Sequence, residues 1–262
     1  MSIDVTKEHR QADGVAWVVM YVAAAAFLIS AIWYALIANH VTVASAPLAP
    51  PGEPLDSALH RWYQWFATTL PQERFNTAIA LLGMLSLVVV AATLRGRFGR
   101  SATLSRIGGY ALALGGVMWT IGNTLQLGGH RAVGLMATHD NPIEAVNAIA
   151  FTVDTVTQAF ELVALLLIGG GMLALAAQAR RTTAMRPGWI GSTATVAVAV
   201  LVLAAAYADA SDDLTLWLLV GIGAVLLPVW LMWTARELAV GDVTPTGRTL
   251  RVRWRLARHL AR

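Results

Sequence analysis

Residues 75–106 read FNTAIALLGMLSLVVVAATLRGRFGRSATLSR. Phe75–Leu94 is an apolar run of twenty residues with no charge, and Arg95, Arg97, Arg100 and Arg106 follow directly. A helix of roughly 20 apolar residues crosses the hydrocarbon core of a bilayer. Arginine gathered at one end of such a helix marks the cytoplasmic side. This stretch therefore implies both a solvent and an orientation.

Working outward, the same reading applies to Trp17–Ala38, Ile107–Gly129, Ala145–Ala179, Trp189–Ala208 and Leu214–Ala235. The expected fold is an all-α polytopic membrane bundle of six transmembrane helices. Composition agrees: 57% of residues are hydrophobic and 13% charged, against about 25% charged in a soluble domain. The expected organisation is a cytoplasmic tail over 1–16, a membrane domain over 17–238 with an outer loop at 39–74, and a basic tail over 239–262. Ala44-Ser45-Ala46 has the small-x-small look of a signal-peptide cleavage site. The preceding apolar run is too long for a signal peptide, so the first span is read as uncleaved.

The connections alternate in charge. Lys7 and Arg10 precede the first span, Arg180, Arg181 and Arg186 lie between the fourth and fifth, and Arg236, Arg248, Arg251, Arg253, Arg255, Arg258 and Arg262 follow the sixth. The remaining loops are acidic or mixed, carrying Glu53, Asp56, Arg61, Glu73, Arg74, Arg131, Asp140, Glu144, Asp209, Asp212 and Asp213. Both termini are thus expected in the cytoplasm of a bacterial inner membrane. The net charge of +4 comes from these juxtamembrane runs and does not point to nucleic acid. Cysteine is absent, which excludes disulfides, thiolate metal sites and cysteine nucleophiles. Lys7 is the only lysine, so no lysine within a span could hold a Schiff base.

Two segments outside the spans are expected to be ordered. After Pro47, Pro50, Pro51 and Pro54, the residues Leu59, Trp62 and Phe66 share a helical face, which predicts a short helix on the outer surface ending before Pro71. In the C-terminal tail, Arg251, Arg255, Arg258 and Arg262 recur at helical spacing beside Trp254, Leu256 and Leu260. That pattern fits either an interfacial helix held by anionic lipid or a solvated basic tail.

Packing signals concentrate in the third span. Gly108, Gly115, Gly122 and Gly129 recur every seven residues beside a second stripe of Gly109, Gly116, Asn123 and His130. Glycine lets a neighbouring helix approach closely, so this span is expected at the centre of the bundle, or else against a partner protein. Gly169-Gly170-Gly171 in span four reads as a packing site or a helix break, and Pro228 predicts a kink in span six.

Polar residues in a membrane are functional candidates. Asn123, Gln126 and His130 from span three, with Asp154, Gln158 and Glu161 from span four, are the expected ligand-binding set, accompanied by Glu144, Asn147 and Phe151. Counting about 1.5 Å per residue from Arg180 puts Glu161 roughly 28 Å up, near the outer edge of a core about 30 Å thick. The cluster should therefore line an outward-facing mouth, over an apolar and closed inner half. Its other reading is a set of mutual hydrogen bonds that fixes helix register. His40, His60, His130 and His139 are the candidate ligands for zinc or copper. Their spacing is irregular, and no cofactor is predicted.

The chain resembles a widespread bacterial family of small six-span membrane proteins of unknown function. The resemblance rests on Arg106-Ile107-Gly108-Gly109-Tyr110, on the long polar-starting span four and on Arg186-Pro187-Gly188-Trp189-Ile190-Gly191. It implies a fold and no site residues. Three functions follow as expectations: a binding or transport protein with an outward polar pocket for a small or lipid-derived ligand, an accessory subunit of an envelope or respiratory complex, or a metal-dependent enzyme at the outer face.

Overall fold

The computed structural model describes residues 5–38, 52–99, 102–139, 141–182, 185–208 and 212–243. Every element among them is helical: α1 (Val5–Ala38), α2 (Leu55–Phe98), α3 (Thr103–Ala137), α4 (Ile143–Thr182), α5 (Pro187–Ala208), α6 (Asp212–Gly221) and α7 (Leu227–Val243), with a π turn at Ile222–Leu226 joining the last two. Five stretches are long and apolar enough to cross a membrane, in α1, α2, α4, α5 and the α6–α7 unit. The protein is an apolar multi-pass helical bundle. α3, the expected third span, is not among the five. Its apolarity is diluted by the two glycine stripes and by Asn123, Gln126 and His130.

The helices form a ring in chain order, α1 against α2, α2 against α3, α3 against α4 and α4 against α5, closed where α7 meets α5 and α1. α3 is not the central helix that its glycines predicted. It sits on the perimeter, wedged between α2 and α4, which also touch each other. Two of its faces carry small residues for those two neighbours. The third presents Ile107, Tyr110, Leu114, Val117, Ile121 and Leu125 outward.

Each glycine stripe serves one neighbour. A Cβ on Gly108 would lie 2.8 Å from the Gly171 carbonyl, one on Gly115 2.6 Å from Ile168 and one on Gly129 2.4 Å from Val153. All three contacts are on α4. A Cβ on Gly109 would lie 3.2 Å from Arg95, and one on Gly116 2.7 Å from the Met84 carbonyl, both on α2. The glycine triplet in α4 does not break that helix: Gly171 meets Leu112 of α3, and Gly169 meets Leu201 of α5.

Two expectations about proline change. α2 runs without interruption through Pro71, so the aromatic segment before it is not a separate surface helix. Pro71 cannot bond the Ala67 carbonyl, at a cost of about 3 kcal/mol in a helix interior. Packing holds the helix on both sides: Tyr63 and Phe66 are buried before it, and Asn76, Ala80 and Met84 after it. At Pro228, the break in regular geometry takes the form of the π turn just before it. A π turn widens the helix where a proline ring would otherwise meet the carbonyl four residues back.

Two buried clusters divide the molecule along its length. The large one joins α1 to α7 through residues such as Met20, Leu87, Leu112, Ile168, Leu203 and Trp230, and lies toward the end bearing Arg95, Arg97, Arg180 and Arg186. The small one, Tyr63, Val133, Ala137, Val146 and Ala150, joins only α2, α3 and α4. These helices have 44, 35 and 40 residues, or roughly 50–65 Å each. Each is longer than a hydrocarbon core of about 30 Å, and the three pack on one another around the small cluster.

Candidate functional site

Between the two clusters lies a partly open cavity of about 520 Å³, with walls from α1, α2, α3, α4, α5, α6 and the π turn. Its position follows from the second stripe of α3. Gly109 and Gly116 hold α2 at backbone distance. One and two heptads further on, the same stripe carries Asn123 and His130 in place of glycine, and both line the cavity. The helices meet again at Gly134, where a Cβ would lie 3.1 Å from Ala67. The gap between these closures is the cavity.

Chain direction orders its lining. Phe27, Met84, Trp119 and Ile222 are among the lining residues nearest the arginine end and form an apolar floor, with the Phe27 and Trp119 rings 6.0 Å apart. Trp62, Trp65, Phe66 and His130 close the other end. Ser30, Tyr34, Glu73, Asn76, Asn123, Gln126, Glu161 and Tyr207 make the walls polar at intermediate height.

These groups are tied across helices. Asn123 Nδ2 donates to Glu161 Oε1 at 3.4 Å, and Tyr207 lies within electrostatic reach of the same carboxyl. Ser30 Oγ donates to Asn76 Oδ1 at 2.8 Å. His130 Nε2 lies 2.7 Å from Asp154 Oδ1, and the Tyr63 hydroxyl donates to Asp154 Oδ2 at 3.3 Å. The Phe66 ring stands edge-on to His130 at 5.1 Å. Asp154 thus orients His130 from behind the cavity wall, while Glu161 and His130 are themselves buried.

Of the six expected ligand-binding residues, Asn123, Gln126, His130 and Glu161 line the cavity. Asp154 touches it only through His130. Gln158 is exposed on the bundle's outer surface, with Phe151. The buried seam of α4 runs through Ala150, Thr157, Glu161 and Ala164. Gln158 is one residue past Thr157, about 100° around the helix, and that angle carries it off the seam. Asn147 is also outside the cavity, donating to Asp56 Oδ1 at 3.1 Å.

Several polar cavity residues outside spans three and four were not read as site candidates in the sequence, among them Ser30, Tyr34, Glu73, Asn76 and Tyr207. Asn76, Tyr34 and Tyr207 are the amide and the phenols among the polar residues of the apolar runs in spans two, one and five, and that is the signal that could have found them.

The candidate metal ligands do not converge. His130 is held by Asp154. His60 Nε2 faces Gln64 at 3.2 Å, and His139 Nδ1 donates to the Leu135 carbonyl at 2.6 Å. His40 and the basic tail from residue 244 onward lie outside the described residues. Among the described residues no three His, Asp or Glu side chains form a group that could hold a metal ion.

No family model, curated protein or solved structure matches the chain.

Proposed function

We propose that this is a six-span protein of a bacterial cytoplasmic membrane, with both termini in the cytoplasm, that binds a small amphipathic ligand in the cavity between its two cores. The cavity itself carries this reading: an apolar floor, a polar wall contributed by separate helices, and a volume in the range of small-molecule sites, roughly 300–1,000 Å³. A π turn at the wall fits as well, since such turns collect at functional sites. The alternation of arginine supports the orientation. It would make the arginine end cytoplasmic and put the cavity in the outer half of the membrane. α3 counts as a span here because α2 and α4 cover two of its faces, and only its apolar third face would meet lipid.

The glycine stripes that could have served a partner protein are occupied by α2 and α4, which weakens the accessory-subunit reading. Native mass spectrometry of protein extracted gently from its own membrane tests the proposal. A bound small molecule or lipid is expected, and Ala80→Phe, which projects a ring into the cavity, should release it. A protein that carries nothing, with or without that substitution, would overturn the reading. A C-terminal reporter fusion active only outside the cytoplasm would overturn the orientation.

A further inference from the structure

The charge inventory of the cavity narrows its ligand class, granted that the cavity is a ligand site. Among the described residues, two carboxyl groups, Glu73 and Glu161, line it, and neither arginine nor lysine does. Among the described lining residues the one basic group is His130, whose Nε2 lies 2.7 Å from Asp154 Oδ1. With the ring neutral, that pair contributes a negative charge. With it protonated, the two charges cancel. In neither state does it offer net positive charge to a ligand. His130 lies within electrostatic reach of both Glu73 and Glu161, as does Tyr34, so the two carboxyls address one common space.

Aromatic rings bound the same space. Phe27 and Trp119 lie at the floor, Trp62 and Trp65 at the opposite end, and Tyr34 and Tyr207 at the wall. Ring faces carry the negative part of the aromatic quadrupole and attract desolvated cations. Carboxylates and aromatic rings around one partly open cavity, with no arginine or lysine among its described lining residues, disfavour an anion. A cation gains from both.

We propose that the cavity selects a lipophilic organic monocation, such as an aromatic amine or a quaternary ammonium or phosphonium, with Glu161 and Glu73 as its counter-charges and the tryptophans as its box. Asn123 holds the Glu161 carboxyl in place for this role. It is a positioning residue.

The test uses two isosteric ions of opposite charge and a neutral relative: tetraphenylphosphonium, tetraphenylborate and triphenylphosphine oxide. Binding is measured by equilibrium dialysis on the full chain in phosphatidylcholine nanodiscs, whose lipid carries no net charge. Saturable binding of the phosphonium and none of the borate is expected. Glu161→Gln and Glu73→Gln should each weaken phosphonium binding by about tenfold or more, while Glu161→Asp keeps most of it. A structural role for Glu161 alone would leave the discrimination between the two ions intact in Glu161→Gln, and that result would overturn the assignment. The comparison of the two ions on unaltered protein needs no variant to fold.

Equal binding of phosphonium and borate, preference for the phosphine oxide, or no phosphonium binding at all would each overturn the cation proposal. If Ala80→Phe then abolishes binding of the neutral or anionic probe, the cavity remains a ligand site and only its charge selection falls. If no probe binds and the native protein carries no small molecule, the ligand-site reading falls too.

Discussion

The two halves of this bundle are built from one heptad register and come out opposite. Toward the arginine end, Gly108, Gly109, Gly115 and Gly116 bring α3 against α2 and α4 at backbone distance, and the ring interior fills with Leu87, Leu112, Ile168 and Leu203. Toward the other end, the α4-facing stripe keeps its glycines at 122 and 129, while the α2-facing stripe exchanges them for Asn123 and His130. One contact stays closed and the other opens. On the α2–α3 side the cavity opens without irregular backbone: small residues stop on one face of α3 while they continue on the next.

The comparison breaks most sharply at Gly116. A side chain there would start 2.7 Å from the Met84 carbonyl oxygen, a backbone atom that cannot swing away. Gly116→Leu should destabilise the protein by about 3 kcal/mol or more, read as a large fall in the detergent melting temperature. Gly170, in the same layer of the bundle, has nothing within 4 Å of the point a Cβ would occupy. Gly170→Ala should therefore be neutral or slightly stabilising, since alanine is the better helix former by about 1 kcal/mol. Equal losses from the two substitutions would show that helix propensity, and not close approach, decides stability here.

A smaller effect is expected where the ring closes between α5 and α7. Trp189 Nε1 donates to Thr234 Oγ1 and Trp230 Nε1 donates to Thr193 Oγ1, both at 2.9 Å. Each threonine hydroxyl donates in turn to the tryptophan carbonyl four residues before it. All four side chains are buried. Thr234→Val keeps the volume and leaves the Trp189 N–H without a partner, at about 1–3 kcal/mol. Thr193→Val should do the same to Trp230. The double variant should fall short of the sum of the two losses, because the pairs share one closed circuit. Strict additivity would mean that the two bonds act independently.

The cavity itself should respond in the other direction. Ala80→Phe adds volume where there is space, and its cost should stay within about 1 kcal/mol while ligand occupancy is lost. A loss comparable to that of Gly116→Leu would mean that the two halves are packed alike and that the space is not there.

Much of this architecture was legible in the sequence, and the remainder was not for a definable reason. All six apolar runs are helices, and the observed elements extend past them, as α3 does from Ile107–Gly129 to Thr103–Ala137. Apolar length reports where lipid ends, whereas a helix can continue on neighbours beyond it. The glycine heptads gave away tight packing because close approach has a local requirement, the absence of a side chain. They could not say which helices approach, so α3 was expected at the centre and stands on the rim. The Trp–Thr circuit was written twice as Trp-x-x-x-Thr, at Trp189–Thr193 and Trp230–Thr234. Nothing in either copy indicates that its partner lies about forty residues away. Tyr34, Asn76 and Tyr207 likewise lie in three separate apolar runs, and only the closed ring brings them to one wall.

The weakest link should lie at the far tip of the α2–α3–α4 extension. Asn147 Nδ2 donates to Asp56 Oδ1 at 3.1 Å and Gln64 Nε2 to the Ala137 carbonyl at 2.7 Å. Both bonds join helices that also share the small apolar cluster. Water can replace an exposed hydrogen bond, so Asn147→Ala should cost about 0.5 kcal/mol and leave the melting temperature almost unchanged. Hydrogen exchange is the sharper measurement. If the extension opens independently of the ring, amides in residues 55–62 should exchange faster in Asn147→Ala, while those around Leu87 and Leu112 keep their protection. Uniform acceleration along α2 would instead mean that the extension and the ring unfold as one unit, and that Pro71 marks no boundary between them.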